Sequence, residues 1–394
     1  MDLTRMAPFE LGDLIVIPAE RLIIGSVGRF DLPPLRMKAL VMLARHAPDA
    51  VASDELLTEL WSSSASDQSL LNAISDLRKA LALAGASEDI IESGHRTYRL
   101  TLLPNFDAVS VPSPDSNPYP GLASFSAADR IYFSGRNEDL GALIANLENK
   151  SPLVLLLGAS GIGKSSLVAA GLVPHYEREC RYSCHTIDCA RADTLQSLEQ
   201  KWLRSLTPSA NVSGGGHLLI IDHLEKLLDT VESSESIDSL VQVLRTALAI
   251  PKVRVVALLR SDWYPRLIEF PALVALLREN TTQLLANLPA AELREVVMRP
   301  ARLAGLTFEL SPNGASLADQ ILVDAQGGRD QLPLLSVLLA QLYELRTSAN
   351  VLTFEAYERL GTFSSCLARH AEQSLTELSD SDRAALPRVS LALL

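Results

Sequence analysis

The sequence has 394 residues, of which 47% are hydrophobic, and a formal net charge of −12. This length and apolar content predict two or three globular domains and exclude an intrinsically disordered chain. No apolar run reaches the roughly 18 residues of a membrane span, and the N-terminus has no signal-peptide pattern. We therefore expect a cytoplasmic protein with no membrane partner. The acidic charge argues against nonspecific coating of nucleic acid but leaves room for a local DNA-reading surface.

Residues 1–103 form the first predicted domain, which has an α+β pattern. Short segments in which apolar and polar residues alternate predict strands, and a 3.6-residue periodicity predicts three helices. In chain order, the predicted elements are strands at 9–18 and 21–25, helices at 34–46, 53–61 and 67–84, and a closing strand region at 90–102. Ser53 precedes Asp54 and Glu55 and is predicted to cap the second helix.

The segments at 32–61, 66–82 and 90–100 resemble the winged-helix DNA-binding domain of OmpR/PhoB-type regulators. The resemblance implies that the third helix enters the major groove and that the strand pair after it forms a wing. The residues expected to face the core are Leu70, Leu71, Ile74, Leu77 and Leu81. The residues expected to contact DNA are Gln68, Asn72, Ser75 and Lys79 on the helix and Arg96 and Arg99 on the wing.

The charge of this domain leaves a second interpretation open. Residues 1–103 contain 10 Lys and Arg against 14 Asp and Glu, a net charge of −4, which is unusual for a strong DNA binder. Asp76 stands where such domains often carry arginine, and Thr97 replaces the usual glycine before the wing tyrosine. A winged helix used for protein contacts is the alternative.

Residues 104–121 are rich in proline, serine and asparagine, which predicts a linker. From 122 to 288, apolar strands alternate with helical stretches, a pattern typical of an α/β fold with a parallel sheet. The clearest of these strands are 153–157, 217–221 and 253–259. From 289 to 394 only helical periodicity remains, so this region is predicted to be a helical lid and the start of a further helical domain. The predicted architecture is therefore multidomain.

The most specific motif is the glycine-rich sequence at 158–165, which follows an apolar strand and precedes a helix. This is the setting of a phosphate-binding loop (P-loop), in which backbone N–H groups and the positive end of the helix face a nucleotide's phosphates. Lys164 is expected to contact the β and γ phosphates, and the Ser165 hydroxyl to bind Mg²⁺. The residues expected to bind the nucleotide are Gly158, Ser160, Gly161, Gly163, Lys164, Ser165 and Ser166.

Two further strand ends complete the predicted site. Asp222 ends the second core strand and is the expected carboxylate ligand of Mg²⁺. Glu225, three residues later, is the candidate for polarising the attacking water, although an exposed glutamate on a helix would give the same pattern. Arg260 ends the third strand. It either senses the γ phosphate or forms a structural ion pair with Asp262 or Asp222.

Several segments of the same region resemble the novel STAND NTPases, a branch of the signal-transduction ATPases. The segments that carry the resemblance are 118–140, 158–174, 218–228, 255–267, 292–309 and 327–339. The resemblance implies ATP or ADP with Mg²⁺ as ligands, Gly135 and Arg136 at the adenine end of the pocket, and Pro333 packed on the base. Lys226 and His223 depart from the family pattern, which usually has an acid and a glutamine there, and both departures bear on the hydrolysis rate.

The two resemblances together imply a transcriptional regulator that rests with ADP and, with ATP, self-associates and acts on DNA. A STAND signalling or defence ATPase with a protein-binding winged helix is the alternative. A metabolic kinase would need an acceptor site, for which the sequence has no motif. The family's chains continue into a further helical domain and into repeats that sense a ligand or partner. We expect the apolar pattern at 387–394 to pack against such additional chain.

A cluster of cysteines near the P-loop helix contains candidate metal ligands. Cys180, Cys184 and Cys189 lie close in sequence to His175 and His185. They lack the spacing of a zinc knuckle, which favours buried thiols.

Overall fold

The computed structural model describes residues 2–25, 27–61, 66–106, 115–178, 180–190, 215–230, 234–326, 331–361 and 363. Its contacts define two compact units. The first contains Met1–Pro118, Val297–Ser311 and Arg346–Thr353, and the second contains Tyr119–Val296, Pro312–Leu345 and Phe354–Leu394. The predicted further helical domain after residue 363 and the apolar C-terminal pattern lie outside the described residues, as do residues 107–114 of the predicted linker.

The N-terminal part of the first unit is an α+β winged-helix fold. It begins with a four-stranded antiparallel sheet in sequential order, whose strands are Phe9–Leu11, Leu14–Ile17, Leu22–Gly25 and Gly28–Asp31. Three helices follow: Pro34–His46, Ser53–Leu60 and Asp67–Leu83. A small antiparallel sheet of Val51–Ala52, Thr97–Leu100 and Ile91–Gly94, in that spatial order, closes the domain. Helices and sheets share one apolar core.

Two details of this domain differ from the sequence predictions. Ser53 is not a helix cap: Ala52 takes that position, and Ser53 is buried in the first turn, where its backbone N–H donates to the Arg96 carbonyl at 2.9 Å. Leu71 was expected in the core but is 50% exposed. Leu70 and Ile74 lie on one stripe at a spacing of four, whereas Leu71 is rotated about 100° from Leu70 around the helix axis.

The core of the second unit is a five-stranded parallel sheet. Its spatial order is Thr281–Leu284, Leu153–Gly158, Val253–Arg260, His217–Asp222 and Ser183–Asp188. The central strands are buried on both faces, as their continuous apolar sequences predict. The described helices of this region are Asn137–Asn149, the P-loop helix from Lys164 to Arg178, Leu224–Thr230, Ser234–Leu248, Tyr264–Leu267 and Pro271–Arg278. All carboxyl ends of the strands lie at one edge, where an α/β sheet binds ligands.

The helix after the P-loop is locally wider than an α-helix. Leu167–Leu172 forms a π-helical segment between the α-helical turns Lys164–Ser166 and Val173–Arg178. Pro174 has no N–H to donate to the carbonyl four residues earlier, so regular α-helical bonding is interrupted at this point. Gly171 also lets Leu140 and Phe133 approach: a Cβ at this position would lie 3.2 Å from Leu140.

The region after residue 289 is helical but contains one small sheet that the sequence analysis missed. Its helices are Ala290–Ala304, Leu317–Asp324, Gln331–Glu344 and Phe354–Leu360. Thr307–Phe308 and Val351–Leu352 form a two-stranded parallel sheet. Two-residue strands are too short to give an alternating pattern. Within the first unit, Arg29 Nε donates to the Leu303 carbonyl at 2.7 Å. None of the described helices is long and apolar enough to cross a membrane.

Candidate nucleotide site and nucleic-acid interface

A cavity of about 590 Å³ lies at the carboxyl edge of the parallel sheet. This volume is within the range of small-molecule sites. Arg260 pairs in register with Gly158, and Asp222 pairs with Asp188, so four strand ends meet at this edge. The cavity is lined by Ser160, Gly161, Gly163, Lys164, Ser165, Ser166, Asp222, Glu225, Arg260 and Pro333, among others. The structure therefore brings most of the predicted nucleotide-site residues together.

The P-loop winds tightly around Lys164. Gly161 and Gly163 have φ values of +69° and +94°, which side-chain-bearing residues rarely adopt. Lys164 Nζ donates to the carbonyls of Gly158 and Ala159, both at 2.9 Å. Burial lowers the pKa of Lys164, and the charges of Glu225 and Asp222 oppose that shift. A phosphate would give the ammonium group an anionic partner in this partly buried position.

Ser165 and Asp222 meet as a hydroxyl–carboxylate pair. Ser165 Oγ donates to Asp222 Oδ1 at 3.2 Å. Mg²⁺ prefers oxygen ligands and usually combines one or two protein groups with substrate phosphates and water. The donor set therefore fits Mg²⁺, with Ser165 and Asp222 as the residues that would hold it.

Glu225 is a buried carboxylate in the cavity wall. Its side chain is 5% exposed, and Oε2 accepts the backbone N–H of Arg260 at 3.4 Å. The open alternative of an exposed helix glutamate therefore does not describe this residue. Glu225 lines the same cavity as Ser165 and Asp222.

Arg260 lines the cavity but is already paired. Its Nε and Nη2 donate to the two carboxylate oxygens of Asp262 at 3.1 and 2.6 Å. The Arg260 hydrogen bond lowers the pKa of Asp262, and the same bond raises the pKa of Arg260. The structural ion pair is thus formed, and a phosphate would have to compete with a carboxylate for the guanidinium group.

His223 and Asp188 form a second polar pair beside the predicted site. His223 adopts a left-handed backbone conformation with φ of +55°. Its Nδ1 lies 2.9 Å from Asp188 Oδ1 and 3.7 Å from Asp222 Oδ1. His223 lines the cavity. In the sequence, His223 stands out only as a departure from the family pattern, and Asp188 is not predicted as part of the site. The sequence does contain a signal for Asp188, because Asp188 and Asp222 both end strands that are neighbours in the parallel sheet.

Arg136 and Gly135 occupy different environments. Arg136 lines the cavity, but its guanidinium group is 4% exposed and bonds the protein itself, donating to the carbonyls of Ile162 and Ala286 at 2.9 and 2.8 Å. It therefore fixes the P-loop backbone. Gly135 is not among the cavity-lining residues. A Cβ there would lie 2.7 Å from Val296 and 2.8 Å from the Glu292 carbonyl, so this glycine permits close packing.

The helix Gln331–Glu344 closes the cavity opposite the sheet. Leu332, Pro333, Ser336 and Leu339 of this helix line the cavity. Pro333 touches the P-loop directly: a Cβ added to Gly161 would lie 2.3 Å from Pro333 Cγ. The apolar ring of Pro333 is thus positioned beside the phosphate loop as well as in the cavity wall.

Replacing Gly161 tests this contact. Gly161→Ala introduces both a left-handed alanine and a clash with Pro333, so we expect a loss of about 1–3 kcal/mol in the free energy of unfolding. Gly141→Ala is the matched control, because Gly141 is in the helix Asn137–Asn149 and a Cβ added there would meet no atom within 4 Å. That variant should gain about 0.5–1 kcal/mol. Denaturant unfolding checks both values, and equal stability of the two variants would contradict the assigned contact.

The predicted DNA-facing helix presents a polar surface. Gln68, Asn72, Ser75 and Lys79 are all exposed, and Gln68 Nε2 donates to Asn72 Oδ1 at 3.1 Å. Ser75 and Lys79 also line an open groove between this helix and the hairpin strand Ile91–Gly94. The arrangement is that of a recognition helix beside a wing.

Three of the predicted DNA-contacting residues are cations that lie beside acids. Arg96 Nη2 lies 2.9 Å from Asp54 and 3.7 Å from Asp67, and its backbone φ is +57°. Arg99 pairs with Glu92 at 2.6 Å, and Lys79 lies 3.9 Å from Asp76. Exposed pairs of this kind stabilise by only about 0–1 kcal/mol, so a phosphate can replace the carboxylates.

A five-stranded parallel sheet with a P-loop, preceded by an α+β winged helix, defines this chain as a P-loop NTPase fused to a regulator-type DNA-binding domain. The sequence model of Novel STAND NTPase 1 matches residues 118–394, and that of the transcriptional regulatory protein C-terminal domain matches residues 28–100. The chain belongs to the Novel STAND NTPase 1 family. Both predicted resemblances and the predicted fold class are confirmed. No curated protein matches the chain.

Several solved structures are similar to parts of the chain. The DNA-binding domain of E. coli CadC is 25% identical and covers 26% of this chain and 97% of its own, with a TM-score of 0.24. The ORC2 protein of Aeropyrum pernix is 16% identical over 62% of this chain and 71% of its own, with a TM-score of 0.42. A Walker-type ATPase of Pyrococcus abyssi is 20% identical over 65% and 76%, with a TM-score of 0.40.

Proposed function

We propose that this protein is a nucleotide-switched transcriptional regulator that rests with ADP, becomes active and self-associates with ATP, and then binds DNA. The observation that carries this proposal is the cavity in which the P-loop, the Ser165–Asp222 pair and buried Glu225 meet a wall formed by the helix of Pro333. A nucleotide bound there would touch both the sheet and the helical region. A ligand shifts a conformational equilibrium only through different affinities for the two states, and such a two-sided contact supplies that difference.

The γ phosphate is the group that distinguishes the two nucleotides. Lys164 and Arg260 line the cavity and are the cations that we assign to the γ phosphate. In the structure, Arg260 is bonded to Asp262. ATP would exchange that carboxylate for a phosphate oxygen, whereas ADP would leave the ion pair in place. This exchange is the physical step that we assign to the switch.

The winged helix as a protein-contact module is the second candidate function. Leu71 is 50% exposed on the predicted DNA-facing helix, and Lys79, Arg96 and Arg99 lie beside acids. An exposed leucine suits either a thymine methyl group or an apolar protein partner. The DNA experiment below separates the two functions.

The Arg96–Asp54 pair allows a test of DNA binding in which the two substitutions should change the affinity in opposite directions. Arg96→Ala should weaken binding to the DNA upstream of the protein's own gene and reduce the salt slope by about one. Asp54→Asn should remove the nearer of the two carboxylates beside Arg96 and strengthen binding by up to about fivefold, the value of one exposed pair. Binding isotherms over a range of salt concentrations, with ADP and with ATP, measure both effects.

Two charge-matched variants control this test. Asp49→Asn removes an exposed carboxylate from the same domain, and Arg5→Ala removes an exposed cation outside the helix and the hairpin. Both should leave DNA affinity within about twofold of the parent. If Asp49→Asn and Asp54→Asn behave alike, the effect is one of net charge and the Arg96 assignment fails. If the parent shows no salt-dependent binding with either nucleotide, the protein-contact function is favoured.

The bound nucleotide and the mass of the protein test ATP-dependent self-association. We expect the purified protein to carry ADP, and light scattering to give a larger mass with a non-hydrolysable ATP analogue than with ADP. The same mass in both states would contradict ATP-dependent self-association while leaving nucleotide binding intact.

A further inference from the structure

Three potential metal ligands lie at the end of the P-loop helix that is remote from the P-loop. Glu148 is in the last turn of the helix Asn137–Asn149, His175 is in the last turn of Val173–Arg178, and Cys180 follows two residues after that helix. His175 Nε2 lies 3.8 Å from Glu148 Oε1 and 3.9 Å from Cys180 Sγ. All three ligand atoms are within 4.8 Å of one another.

The two separations measured from His175 are close to those of a tetrahedral zinc site. Zinc binds sulfur at about 2.3 Å and imidazole nitrogen or carboxylate oxygen at about 2.0–2.1 Å. Tetrahedral angles then place nitrogen about 3.5 Å from sulfur and about 3.3 Å from oxygen. The distances from His175 exceed these values by only about 0.4–0.5 Å, which small side-chain rotations can close. Carboxylate, imidazole and thiolate are each established ligands of zinc.

The surroundings position the ligands and leave the site accessible. The Tyr176 ring is buried and meets the His175 ring edge-on, with centroids 5.5 Å apart, which restricts the orientation of the imidazole. The side chains of His175 and Glu148 are 19% and 44% exposed, so an ion can enter from solvent. Three protein ligands leave the fourth position of a tetrahedral ion for water.

We propose that Glu148, His175 and Cys180 bind one Zn²⁺ ion. Binding deprotonates the Cys180 thiol and releases that proton to solvent. The ligand set differs from the cysteine cluster weighed in the sequence. His185 Nε2 lies 3.4 Å from His217 Nδ1, and Cys184 Sγ lies 3.9 Å from the Val173 carbonyl. Neither Cys184 nor His185 belongs to the ligand group of Glu148, His175 and Cys180. The ion would join the ends of two helices whose opposite ends adjoin the P-loop.

Cobalt titration of the full chain tests the site. Metal-free protein with saturating ADP and Mg²⁺ should bind one Co²⁺ with the absorption of a four-coordinate ion and a thiolate-to-cobalt charge-transfer band, and Zn²⁺ should displace it. The ligands at the P-loop are oxygens and give no such band. Cys180→Ser should abolish the band, and His175→Ala and Glu148→Gln should weaken Co²⁺ and Zn²⁺ binding by at least about 10- to 100-fold.

Cys184→Ser and His185→Ala are the matched controls and should keep the band and the affinity. Retained ADP binding in every variant shows that the core is folded. The proposal is overturned if the parent gives no charge-transfer band, if the band survives Cys180→Ser, or if Cys184→Ser removes it equally. Loss of nucleotide switching would not affect this outcome, because the readout is the metal spectrum alone.

Discussion

Lys164→Ala is expected to weaken ATP and ADP binding by at least about 100-fold, equivalent to about 2.7 kcal/mol. The variant removes the P-loop cation that donates to the Gly158 and Ala159 carbonyls, and the phosphates lose a charge-assisted partner in a partly buried site. Isothermal titration with each nucleotide measures the change. The winged-helix domain should remain folded, because its own apolar core contains no residue of the P-loop.

Lys226→Ala is the matched control for this experiment. Lys226 is exposed, lies next to Glu225 in sequence and is not a lining residue of the cavity. Its removal should leave nucleotide affinity unchanged. Lys164 also bonds two P-loop carbonyls, so the thermal midpoint of each variant must be recorded to separate a local loss of binding from unfolding. Unchanged ATP affinity in a folded Lys164→Ala protein would refute the P-loop assignment.

Glu225→Gln is expected to reduce ATP hydrolysis by about 10²- to 10⁴-fold while retaining nucleotide binding. The substitution keeps the size of the side chain and the acceptor for the Arg260 N–H but removes the carboxylate that would polarise water. Single-turnover hydrolysis and a binding titration on the same preparation distinguish the two effects.

Asp229→Asn controls for the charge change on the same helix, Leu224–Thr230, because Asp229 is exposed and outside the cavity. It should hydrolyse ATP at the parental rate. A Glu225→Gln protein with parental turnover would show that another group orients the water. His223, which is held by Asp188 in the cavity wall, would then be the next residue to test.

The sequence predicted the elements of this fold better than the contacts between polar side chains. Continuous apolar runs predicted the three central strands, and the spacing of Leu70, Ile74 and Leu77 predicted a buried helix face, because burial leaves a periodic signal. The prediction that Leu71 faces the core is wrong, because a leucine just outside the buried stripe gives the same apolar signal in the sequence. The small sheet at Thr307–Phe308 is too short to carry any period.

In the predicted site, too, the backbone motif was predicted better than the contacts between side chains. The glycines and Lys164 follow from backbone geometry and spacing, which a local motif specifies. The partner of Arg260 and the role of Arg136 depend on strand register and rotamers, which no local pattern encodes. The Asp188–His223 pair has the same origin, since it joins residues 35 positions apart.

The contact between Gly161 and Pro333 has a mechanical consequence. Two non-bonded groups at van der Waals distance repel each other steeply when they are pushed together. The P-loop and the helix Gln331–Glu344 therefore meet at a contact that resists compression. Among the described residues, the three heavy atoms nearest to a Cβ at Gly161 all belong to the rigid ring of Pro333. A loop movement of a few tenths of an ångström toward Pro333 must therefore be followed by the helix itself.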